Sequence, residues 1–79
     1  MRWELCLSRA AIAVLYRMER GVARNVSVAL DELAVTPTLV NLQVDEDDPS
    51  LYWLAVEGDV TIWLEIIDER HAIRITKIG

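Results

Sequence analysis

Residues 51–79, LYWLAVEGDVTIWLEIIDERHAIRITKIG, constrain this chain more than any other stretch. Three runs rich in β-branched and aromatic residues are separated by Glu57-Gly58-Asp59 and by Asp68-Glu69-Arg70, the pattern of an antiparallel meander. Side chains alternate along a strand, so Val60, Ile62, Leu64 and Ile66 share one face of the second run and Thr61, Trp63, Glu65 and Ile67 share the other. The first set is the core face. Pairing it with Ile73 and Ile75 puts Leu64 opposite Ile75, Ile66 opposite Ile73, Glu65 opposite Arg74 and Trp63 opposite Thr76. The facing charges favour that register by about 0.2–1 kcal/mol. A three-residue loop at 57–59 sets Leu54 opposite Ile62, Tyr52 opposite Leu64 and Trp53 beside Trp63 on the outer face. A two-residue Gly58-Asp59 turn would slip the strand by one and send Trp53 inward. The longer loop is expected, because it keeps Tyr52, Leu54 and Val56 together in the core.

A chain of 79 residues makes one domain, 1–79. At this size only about 60% of the unfolded surface is hidden on folding, so stability is modest without a partner. Hydrophobic residues make up 53% of the chain, yet no run approaches the roughly 20 apolar residues of a membrane helix, and a soluble protein is expected. The amino-terminal MRWELCLSRA interrupts its apolar run with charge and lacks a secretory cleavage pattern. Cys6 has no second cysteine to bond with, which suits a reducing cytoplasm, and it reads as a buried strand residue. The net charge of −5 is unevenly spread. Residues 1–24 hold five arginines against two glutamates, residues 31–69 hold eleven acids and no base, and residues 70–79 hold Arg70, Arg74 and Lys77 without an acid. The acidic balance argues against tight non-specific binding to nucleic acid, but the basic ends make a local site if they meet in space.

Upstream, Arg2–Leu7 reads as a short strand in the same sheet. Ser8 suits an N-cap, and Ala11, Val14, Leu15 and Met18 fall on one helical face, which predicts a helix over about 9–20. Gly21 is expected at an αα connection, after which Val22, Val26, Ala29, Leu30 and Leu33 repeat the spacing to about Ala34. Pro37 bars continuation. The segment TLVNLQV, 38–44, alternates enough to be extended, as a lead-in or an added edge strand. The run Asp45-Glu46-Asp47-Asp48 invites a divalent metal, but it lacks the glycine and terminal glutamate of a calcium loop and reads as a solvated loop before Pro49-Ser50. No metal and no cofactor is expected. The fold class is therefore α+β, an N-terminal strand and helical hairpin packed on a three- to four-stranded antiparallel sheet.

This order of elements resembles the RelE/ParE superfamily, the small toxins of type II toxin–antitoxin modules. ALDELAVTP is similar to the family's "aL.eLa.dP" helix end, LYWLAVEGDVTIWLEI to its "lyRlrvGdyRviyei" hairpin, and IIDERHAIRITKIG to its closing hairpin. The resemblance implies a toxin held by a cognate antitoxin that wraps it with a strand and an amphipathic helix. In ribonuclease members, cations on the exposed sheet face and a basic tail cut messenger RNA on the ribosome; ParE-like members act on DNA gyrase. Here the hairpin positions matching those cations are Trp53, Ala55 and Thr61, and the chain stops at Gly79 where the tail would begin.

RNA cleavage through the 2′-hydroxyl needs a proton acceptor and cations for the charge that builds on phosphate. The candidates are Glu65 as base and Arg74 as phosphate clamp, which otherwise make a surface ion pair, and His71, which otherwise is a strand-end residue. Arg17, Arg20 and Arg24, with Arg70 and Lys77, are candidate basic surface. Trp53 and Trp63, with Ala55, Thr61 and Ile67, form an apolar outer patch that a monomer would not leave wet. That patch predicts binding of an antitoxin or self-association through the sheet face, with RNA, ribosome or gyrase as further targets.

Overall fold

The computed structural model describes residues 2–79, apart from the side chain of Leu39. Strand β1 (Glu4–Leu7) leads into helices α1 (Arg9–Arg17) and α2 (Arg20–Val35). A 3₁₀ turn at Pro37–Leu39 is followed by β2 (Gln43–Val44), β3 (Tyr52–Val56), β4 (Val60–Ile67) and β5 (Ala72–Ile78). The sheet has five strands, in the order β1-β5-β4-β3-β2. The parallel pairing of β1 with β5 was not foreseen, whereas the two-residue β2 adds to the far edge antiparallel to β3, the added edge strand that was one reading of 38–44. The sheet is therefore mixed rather than wholly antiparallel. A parallel partner needs a crossover between the strands, and the helical hairpin occupies part of the long connection from β1 to β5.

The helices cover one face. Ala11, Val26, Leu30 and Leu33 meet Leu54, Val60, Ile62, Leu64, Ile73, Ile75 and Ile78 in a single core, with Val14, Leu15, Met18, Val22 and Ala29 packed around it. Ile78 apart, these are the residues that the helical and strand periodicities assign inward. Ser8 caps α1 as expected, its Oγ accepting from the Ala11 N–H at 3.1 Å. The break between helices, however, lies at Met18-Glu19 and not at Gly21. The Glu19 carboxylate accepts from the N–H groups of Gly21 and Val22 at 3.0 and 3.3 Å, so Gly21 falls within the first turn of α2. A capping carboxylate at a helix N-terminus outweighs the turn preference of a glycine two residues on.

Between β3 and β4 the register is Tyr52 opposite Leu64, Trp53 opposite Trp63, Leu54 opposite Ile62 and Val56 opposite Val60, closed by the three-residue loop. Gly58 and Asp59 turn it with φ of 105° and 60°. Between β4 and β5, Leu64–Ile75, Glu65–Arg74 and Ile66–Ile73 pair as expected, but Trp63 lies opposite Lys77 and not Thr76. A β-bulge inserts Thr76 as an extra residue. Its hydroxyl donates to the Trp63 carbonyl at 3.2 Å, and its own carbonyl accepts from Ser8 Oγ at 3.0 Å. Past the bulge the alternation resumes one residue late, so that Ile78 is buried and Lys77 exposed.

Candidate functional site

The face of the sheet turned away from the helices is the candidate site. Alternation places Trp53 and Ala55 of β3, Thr61, Trp63, Glu65 and Ile67 of β4, and Arg74 of β5 on it. Register aligns four residues across it: Lys77, Trp63, Trp53 and Gln43, one from each of β5, β4, β3 and β2. The bulge is what makes this row. It turns Lys77 outward, with Nζ 4.8 Å from the centre of the Trp63 ring, a cation–π contact. Beside that row runs a second, Glu65–Arg74–Cys6, in which Arg74 Nη1 reaches Glu65 Oε1 at 3.5 Å.

Both members of that pair are solvated, with Arg74 55% and Glu65 33% exposed, and such pairs contribute at most about 1 kcal/mol. The two tryptophans are half-buried rather than open, so the apolar patch is smaller than composition implies. The large hydrophobics left most exposed are Ile12 and Tyr16 on α1, Val28 and Val35 on α2, and Val44 on β2. Sequence reasoning passed over the four on the helices because each lies just off a stripe that was read as core. Cys6 is exposed on the outer face, and not buried as expected; its Sγ lies 3.8 Å from Glu4 Oε1. Strand β1 turns Leu5 and Leu7 toward the core, which leaves Glu4 and Cys6 outward.

His71 stands apart from this face chemistry. It ends the 3₁₀ turn Asp68–Arg70 in the left-handed region, at φ 52° and ψ 45°. Its ring stacks on Trp3 with centroids 4.0 Å apart and planes 20° from parallel, and Nε2 is buried without a hydrogen-bond partner. The arrangement fastens β1 against the β4–β5 turn, since the His71 carbonyl also accepts from the Glu4 N–H at 3.0 Å. Arg17 ends α1, while Arg20 and Arg24 open α2; all three are exposed around the helix junction, away from Glu65 and Arg74 on the opposite layer. Arg70 is exposed in the last turn. In the acidic loop, Asp48 accepts from the hydroxyl and the N–H of Ser50 at 2.6 and 3.0 Å, and these bonds hold its carboxyl below the ordinary range, the hydroxyl contributing most.

The outer face thus offers two carboxylates, Glu65 and Glu4, and two cations, and each cation is engaged, Arg74 by Glu65 and Lys77 by a ring. This arrangement can bind an aromatic or anionic surface. It lacks a free imidazole for proton transfer among the described residues, since His71 is the chain's one histidine and its ring is committed to Trp3.

Comparison with solved structures places the fold. A chain of the intact E. coli RelBE toxin–antitoxin complex superposes with a TM-score of 0.84 over 98% of this chain and 94% of that one, at 15% identity. The architecture is the RelE fold. A chain of the RelBE complex from Mycobacterium tuberculosis matches with a TM-score of 0.84 over 100% and 98% of the two chains, at 15% identity. A chain of the RelE–RelB complex from Pyrococcus horikoshii gives 0.78 over 100% and 94%, at 16% identity. No protein-family profile and no curated protein matches the sequence. No helix among the described residues is long and apolar enough to cross a membrane.

Proposed function

We infer that this chain is the toxin of a type II toxin–antitoxin pair, cytoplasmic, and that its uncovered sheet face is where its antitoxin and its target compete. The observation that carries the reading is the RelE fold over 98–100% of the chain, in neighbours solved as toxin–antitoxin complexes. The row Lys77–Trp63–Trp53–Gln43 supports it, because paired tryptophans with a flanking cation and an amide suit a protein hot spot. The reading favours inhibition by target binding over messenger RNA cleavage. The positions that match the family's hairpin cations hold Trp53, Ala55 and Thr61, and among the described residues no charged side chain is buried.

Cleavage is the second reading, favoured by the adjacency of Glu65 and Arg74 at 3.5 Å, with Glu65 as base and Arg74 as clamp. Inducible expression in a bacterial host tests both. Growth arrest that is relieved by co-expressing the product of the neighbouring short reading frame is the expected result. Mapping messenger RNA 5′ ends during arrest separates the two modes: new ends that vanish in Glu65→Gln assign cleavage, and arrest without new ends assigns binding. Unaltered growth at full expression removes the toxin reading.

A further inference from the structure

The helical layer carries two complementary surfaces that the core does not use. Two open grooves run along α2 and meet at Glu32. Val28 and Val35, 52% and 57% exposed, provide apolar lining together with Ala29, Val40 and Val56, and Asp31, Glu32 and Glu57 provide charge of one sign; among the described residues no lysine or arginine lines either groove. The helix adds to that charge, because the last turn of α2 holds no base and its negative dipole end coincides with Asp31 and Glu32. Arg2 reaches Asp31 at 3.5 Å, but both side chains are largely solvated and the pair is weak. From Asn25 to Thr36 the furrow spans about 16 Å of helix at 1.5 Å per residue.

Helix α1 carries the opposite pattern. Ile12 and Tyr16 are 39% and 87% exposed, and Arg9 and Arg17 flank them on the same outward side. At nine residues α1 is about 14 Å long, close to the length of the furrow. We propose that a second copy of this chain docks on the helical layer: α1 of each protomer seats Ile12 and Tyr16 on Val28 and Val35 of the other, with Arg9 and Arg17 against Asp31 and Glu32. A two-fold axis running between α1 and α2 buries both patches twice, which is the self-complementarity an isologous dimer requires. The outer sheet face stays free, so the proposal stands whether or not the chain is a toxin.

Sedimentation equilibrium on the full chain and on two charge-reversed forms tests it. One form carries Arg9→Glu and Arg17→Glu, making both helical patches acidic; the other carries Asp31→Arg and Glu32→Arg, making both basic. All four positions are exposed, and far-UV circular dichroism verifies that each form is folded. The unaltered chain is expected to be a dimer, each form alone to dissociate at least about tenfold more readily, and their mixture to recover a one-to-one dimer. A monomeric parent at about 1 mM, charge-reversed forms that dimerise as the parent does, or a mixture that stays monomeric overturns the proposal. So does a dimer that is lost in Trp53→Ala/Trp63→Ala, which would move the interface to the sheet.

Discussion

Replacing Ser8 with alanine is expected to lower the melting temperature by about 12 °C and to loosen the contact between Lys77 and Trp63. The Ser8 hydroxyl has two tasks: it accepts from the Ala11 N–H at 3.1 Å to start α1, and it donates to the Thr76 carbonyl at 3.0 Å. Loss of a serine N-cap costs about 1 kcal/mol. Leaving a half-buried carbonyl without its donor adds about 1 kcal/mol. An unfolding entropy of roughly 2.1 cal/mol/K per residue gives about 0.17 kcal/mol/K for 79 residues, so about 2 kcal/mol becomes about 12 °C. Ser8→Thr keeps the hydroxyl and is expected within about 3 °C of the parent. Thr76 is the bulge residue that turns Lys77 outward, so NMR provides a second reading. The Lys77 side-chain protons, shielded over the Trp63 ring, are expected to move downfield in Ser8→Ala and to stay in place in Ser8→Thr. A melting shift below about 3 °C in Ser8→Ala, or failure of threonine to restore it, would refute the dual role of this hydroxyl.

Gly58 stands at φ 105°, and a Cβ there would lie 3.1 Å from Val22 Cγ2. Gly58→Ala is therefore expected to cost about 1–3 kcal/mol in urea unfolding, whereas Gly21→Ala, helical and facing only the Glu19 carboxylate, is expected to cost less than about 1 kcal/mol. Cys6 is exposed on β1, so a thiol-specific reagent is expected to label it fully in native buffer, at a rate close to that in denaturant; protection of more than about a hundredfold would put it back in the core. Asp48 has a lowered pKa in the folded chain because Ser50 bonds its charged form. A depressed folded value favours the folded state above the ordinary value of 3.8, and the benefit is lost as pH falls through the folded value. Ser50→Ala is expected to raise the Asp48 midpoint toward 3.8 in a carboxyl NMR titration, with no change if the hydroxyl is irrelevant.

The meander was legible because its apolar alternation is long and unbroken: Val60, Ile62 and Leu64 all face inward, and the charges of Glu65 and Arg74 fixed one register between β4 and β5. The bulge was not legible. Its signal is only that Ile78, and not Lys77, must be buried after Ile75, a change of phase carried by the last few residues of the chain. Missing that phase placed Lys77 off the site and Thr76 on it. Strand β1 was seen as a strand, but its parallel partner was not, since four residues carry no information about direction. Its short run also hid which side faces the core, and Cys6 was assigned inward on composition alone. The helix junction was misplaced for a similar reason. Glycine is a strong signal for a turn, and only the two bonds from the Glu19 carboxylate show that a better N-terminal cap precedes it.

The parallel pairing of β1 with β5 also gives meaning to the uneven charge of the sequence. It lays β1 along the first half of β5, so that Arg74 and Lys77 share one side of the sheet with the exposed Glu4, while the arginines of residues 9–24 stay on the helices. The acidic loop at residues 45–48 leaves from β2, at the opposite edge. A partner approaching the outer face therefore meets Arg74 and Lys77 interleaved with Glu65 and Glu4 at the β5 side, tryptophans at the middle and carboxylates beyond β2. Carboxylates therefore stand on both sides of the tryptophans, Glu65 and Glu4 toward one edge and the 45–48 loop beyond the other, so that the face as a whole does not attract phosphate.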